Sequence, residues 1–167
     1  GFVYSGGLVH EMKPHFFLAR LHQHHQIEDY QIYVANEELA RDLTAHPAMS
    51  RDKTIFIRRE SLRRMLWERI EEWRWKRAEG AMSRALSYYD FDSDLEGALN
   101  LMTDHEVDVL LYHEMGEIQA GKTLGEAWHE LIAALPRSEA EFKARAIRDH
   151  LADCLSTLPK LIDQQRE

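Results

Sequence analysis

The spacing of apolar residues along this 167-residue chain predicts helix almost throughout. From Pro14 to about Leu43, the residues Phe17, Leu21, Ile32, Ala35, Leu39 and Leu43 fall on one side of a wheel turned about 100° per residue. Pro14 suits a first helical turn, where its missing N–H costs nothing, and the His46-Pro47 step closes the segment. From Asp52 to Tyr89, Ile55, Leu62, Met65, Leu66, Ile70 and Trp73 form a second apolar face. Residues 1–13, with Gly6-Gly7 and little periodicity, read as a loosely structured lead-in.

The C-terminal half carries clearer boundaries. Ser93 with Glu96, Thr123 with Glu126 and Ser138 with Glu141 each have the spacing of a capping box, in which side chain and backbone exchange hydrogen bonds at a helix start. These signals predict helices over 94–120, 124–135 and 139–158, with Gly121 ending the first. Helix 94–120 is apolar on most of its circumference, which places it in an interior. The expected fold is all-α: one compact bundle of five or six helices over residues 14–167, packed around a central buried helix 94–120.

Composition supports that reading. Eight Gly and four Pro leave little material for the turns of an all-β protein. A net charge of −8 argues against general attraction to nucleic acid or to an anionic membrane surface. No apolar run reaches membrane-spanning length and no signal-peptide pattern opens the chain, so a cytoplasmic location is expected. The single cysteine, Cys154, can form neither an internal disulfide nor a cysteine-based zinc site. Asp90, Asp92 and Asp94 imitate a calcium loop, but Leu95 and Leu101 stand where it needs Gly and Glu.

Ten histidines are the chemical signal that remains. On helix 94–120, Glu106, His113 and Glu117 fall within roughly 40° of one another, among apolar neighbours. Buried carboxylates are costly unless paired, protonated or bound to a cation, and a divalent metal would supply the missing charge. His113-x-x-x-Glu117 sets imidazole and carboxylate one turn apart, and His24-x-x-x-Glu28 repeats the spacing in the first long segment. The expected site is therefore a non-haem metal centre, iron or manganese with zinc as a further option. Its ligands would be Glu106, His113 and Glu117, joined by Glu28 and His25 or His24. His105 and Glu114 fall outside that seam and read as peripheral.

The Glu106-to-His113 spacing resembles a helix pattern of the haem-oxygenase-like di-iron oxidases and oxygenases. Those families also carry a late His-x-x-x-Asp-x-x-His helix, a string this chain lacks. The resemblance implies a compact bundle with an interior site and oxidative chemistry on a small-molecule substrate. The alternative is a non-catalytic interaction protein. Arg58, Arg59, Arg63, Arg64, Arg69, Arg74 and Arg77 crowd the helix at 58–77, and its Trp67 and Trp75 offer a homo-oligomer contact, with the His/Glu seam a structural network. His113-Glu114-Met115-Gly116-Glu117 is not the zinc-protease pattern, and no nucleophile elbow or phosphate loop is present.

Overall fold

The structure, a computed structural model, describes residues 1–9, 13–76 and 80–164. It overturns the all-α expectation. Five strands, β1 (Phe2–Val9), β2 (Lys13–Ile27), β3 (Tyr30–Arg41), β4 (Ala48–Arg51) and β5 (Thr54–Arg58), form one sheet in the order β1-β2-β3-β5-β4. Helices α1 (Arg59–Lys76), α2 (Ala81–Leu86), α3 (Leu95–Leu124), α4 (Glu126–Ala134), α5 (Glu139–Ala152) and α6 (Leu158–Gln164) follow, with a π-helical turn at Asp153–Thr157 joining the last two. The molecule is mixed α/β, a sheet curled into a half-barrel with a helical second half, and not a helical bundle. The lead-in expected at 1–13 is strand over its residues 2–9, antiparallel to β2; residues 10–12 lie outside the described part.

The error over 14–43 has a physical cause. Phe17 and Leu21, and Ala35, Leu39 and Leu43, are spaced by four, and four residues return the chain to the same face in a helix and in a strand alike. Along β2 the alternation has period two: Phe17 and Ala19 are buried, Phe16 and Arg20 are exposed. The β-formers Ile32, Tyr33 and Val34 continue the pattern in β3. The β2–β3 hairpin turns on Glu28-Asp29, with Glu28 at a left-handed φ of 53°. The β4–β5 hairpin turns on Asp52-Lys53, with Asp52 at 55°. Neither turn carries the Asn-Gly or Gly-Gly signal that advertises a two-residue hairpin.

Three register shifts between Leu18 and Gln23 interrupt the β2–β3 ladder. Such bulges bend a sheet and raise its local twist, which accounts for the curl. One face, carrying Tyr30, Ile32, Val34, Ile55 and Ile57, packs on Leu111 and Met115 of α3. On the other, Val3, Phe17, Ala19 and Ala35 form a smaller core with Tyr33, Met49 and Phe56. Leu62, Leu66 and Ile70 of α1 close a third core with Leu86, Leu99 and Met102. Helix α3 therefore faces the sheet with one part of its length and α1 with another.

Candidate functional site

Helix α5 and the π-turn lie against α3, and the close approach is made at Gly116. A Cβ on that residue would stand 2.3 Å from the carbonyl oxygen of Ala152, so only glycine fits. Around this contact the charged side chains of three segments interlock. His113 donates from Nδ1 to Oδ1 of Asp153 at 2.9 Å, and its Nε2 stands 3.6 Å from Oε1 of Glu117. Arg148 donates to Glu117 at 2.7 Å and to Asp149 at 3.0 Å, while the Thr157 hydroxyl donates to Asp153 at 3.0 Å.

The electrostatics follow from that geometry. The Glu117 carboxylate, helped by Asp153, raises the His113 imidazole from 6.5 to about 9 against the pull of partial burial, so it is a cation at neutral pH. Burial opposes ionisation of Glu117, but the His113 contact and Arg148 prevail and hold it below the usual carboxylate range. Two cations thus face three carboxylates, and every one of the five has an opposite charge in contact.

Beside the network lies a cavity of about 550 Å³. Its helical wall is Glu114, Glu117 and Arg148; its sheet wall includes Ser5, Gly7, His15, Met49, Ser50, Arg51 and Phe56, with His46 at the entry to β4. The size suits a small molecule. Glu114 is the exceptional group here, 8% exposed and carried on the side of α3 that faces the sheet. Burial, with the Glu117 charge next, lifts its carboxyl from 4.5 to about 7; Ser50, His113 and Arg148 act the other way.

Of the ligands expected from sequence, the fold brings together His113 and Glu117, and adds Asp149; the ligand atoms of these three lie within 4.8 Å of one another. Glu106 does not join them. It sits seven residues earlier, about 10 Å down the helix axis, beside His105, whose Nδ1 is 3.0 Å from the Tyr89 hydroxyl. His24 is on β2, stacked on Tyr33 and 3.0 Å from Gln31, and His25 pairs with Ile32 across the ladder. Glu28 is at the hairpin tip, paired with Lys160 at 3.4 Å. Two helices facing each other, as the sequence reading required, are replaced by a strand and a helix.

Glu114, peripheral by its position on the helical wheel, is buried on the cleft wall. Its signal was its place three residues after Leu111 and four before Ile118, on the stripe that packs toward the sheet. Arg148, Asp149 and Asp153 carried no motif. The Arg/Trp surface is also revised: Trp67 packs on the α1–α3 core, while Trp75 is 91% exposed, and Arg77 lies outside the described residues.

The fold and cleft define a two-part α/β protein whose charged pocket lies at the seam of the parts. Residues 1–58 match the N-terminal domain, and residues 63–167 the C-terminal domain, of the family of unknown function DUF6866, and the chain belongs to that family. The comparisons with curated proteins and with solved structures gave no match. The matched ranges meet where β5 passes into α1, so the cleft takes one wall from each domain. No helix among the described residues is long and apolar enough to cross a membrane.

Proposed function

We propose that the chain binds a small polar molecule in the cleft between the curled sheet and helices α3 and α5, and that Glu114 exchanges a proton with it. The observation that supports this is geometric: a buried carboxyl stands on the wall of a cavity of ligand size, beside Ser50 and a charged pair. A carboxyl held near neutrality is suited to general acid–base work, since it can give and regain a proton at working pH. The Glu117–Arg148 pair supplies a fixed dipole along the same wall. The proposal keeps the cytoplasmic setting expected from the sequence.

The test is a nuclear magnetic resonance screen of the full chain against small acids, alcohols and amines. Binders should perturb Ser50, His46 and Glu114 together, and Ser50→Trp, which fills the cleft, should abolish the effect. Binding that survives Ser50→Trp, or no perturbation of these residues by any class, overturns the reading.

A second reading rests on the convergence of His113, Glu117 and Asp149 within 4.8 Å. A divalent ion there, iron, manganese or zinc, would have to displace the His113 proton and draw Glu117 and Asp149 away from Arg148. It would be mononuclear, because Glu106, His24, His25 and Glu28 are elsewhere and the bundle core of a di-iron oxidase is absent. Metal analysis of untagged protein tests it: stoichiometric metal lost in His113→Ala supports it, and metal-free protein from iron-supplemented growth sinks it.

A further inference from the structure

The cleft is charged unevenly. On the helical wall Arg148 is committed to Glu117 and Asp149. On the sheet wall Arg51 stands at the end of β4, and among the described residues no hydrogen bond or ion pair engages its guanidinium. Beside it His15 has a buried Nδ1 without a hydrogen-bond partner. Gly7 is the register partner of His15 across β1 and β2. A Cβ placed on Gly7 would lie 3.6 Å from His15 Nε2 and 3.9 Å from Arg51 Nη1. One open point is therefore close to both nitrogens. An oxygen a little nearer would be within hydrogen-bond reach of the two, and a guanidinium presents the forked donors that carboxylates and phosphates accept.

We infer that Gly7, His15 and Arg51 form an oxyanion subsite, and that the ligand of the cleft is a small acid, a carboxylate or a phosphate ester. Its anionic group lies against the sheet wall and the remainder points across the cavity to Glu114. This assignment rests on the proposed reading of the cleft and adds the class of ligand. A net-negative chain has particular need of such a device, because its overall field repels acids and only a local cation can hold one.

The experiment titrates the full chain with inorganic phosphate and, separately, acetate, reading the His15 ring and Arg51 Nε resonances. Saturable shifts with either probe are expected; phosphate alone points to a phosphate ester and acetate alone to a carboxylate. Arg51→Gln should weaken binding at least about tenfold, the scale of a lost charge-assisted contact. Gly7→Val, at an exposed position with no positive φ, should fill the notch and remove it, with folding checked by circular dichroism. Shifts unaffected by Arg51→Gln and Gly7→Val, or no shift with either anion, overturn the subsite. If neutral polar compounds still perturb Ser50 and Glu114 in that case, the cleft reading stands and only the anion assignment falls.

Discussion

Arg58 and Glu38 form an ion pair with both side chains out of solvent, Nη2 to Oε2 at 2.9 Å. Arg58 also packs over the Phe17 ring and donates to the carbonyl of His46 at 3.3 Å; the Ser61 hydroxyl donates to Glu38. The pair joins β3 to the end of β5, immediately before α1 begins, and fixes the backbone of a cleft residue. Arg41 is a second, half-buried contact of Glu38 at 3.2 Å, so removing Glu38 strands the buried Arg58 charge at a cost of about 3–5 kcal/mol, and removing Arg58 costs less. Chemical denaturation should show that loss for Glu38→Leu and a smaller one for Arg58→Met, and the double variant should recover part of the first. Single variants within about 1 kcal/mol of wild type would contradict the strut.

Gly116 and Ala152 set the distance between α3 and α5. Gly116→Ala should lower stability by about 1–3 kcal/mol, because the new methyl meets backbone and neither helix can yield locally. It should also separate His113 from Asp153, and the His113 ring pKa measured by resonance titration should fall. An unchanged titration would show that the helices do not move.

The pH dependence of stability has a definite sign. Glu114 titrates at about 7 when folded against 4.5 as its ordinary value, so the native state holds its proton more tightly and loses stability as pH rises through that window. The contribution of His113 is complete below 6.5 and is lost as pH rises through about 9. Glu117, held low, acts oppositely and loses its contribution on acidification. Denaturation from pH 5 to 9 should therefore show a declining alkaline limb. Glu114→Gln should be more stable than wild type at pH 8, by up to about 3 kcal/mol. His113→Gln should flatten the limb above 6.5. A wild-type profile level across that range would mean that His113 is not an imidazolium.

The two tryptophans of α1 should separate cleanly. Trp67→Ala removes a group packed on the core and should cost about 2–4 kcal/mol, whereas Trp75→Ala should leave stability within about 0.5 kcal/mol. Self-association through this helix is read by mass in solution: a change in mass with Trp75→Ala identifies Trp75 as a contact, and equal masses exclude it.

What the sequence determined was local. The face Leu62, Leu66 and Ile70 and the Ser138 cap, whose hydroxyl accepts from the Glu141 N–H, are set by residues three or four apart, so periodicity and capping chemistry reveal them. His113 and Glu117 meet for the same reason. The sheet was hidden because spacings of four serve both periods and because Glu28-Asp29 and Asp52-Lys53 turn without glycine. Only the tertiary structure decided the rest. Gly7, Arg51, Glu114 and Arg148 are far apart along the chain, and they line one cleft because the sheet curls and packs through β4 and β5 on α3, which α5 flanks. Glu114 is buried by that contact alone, so its chemistry belongs to the packing and could not be read from its neighbours in sequence.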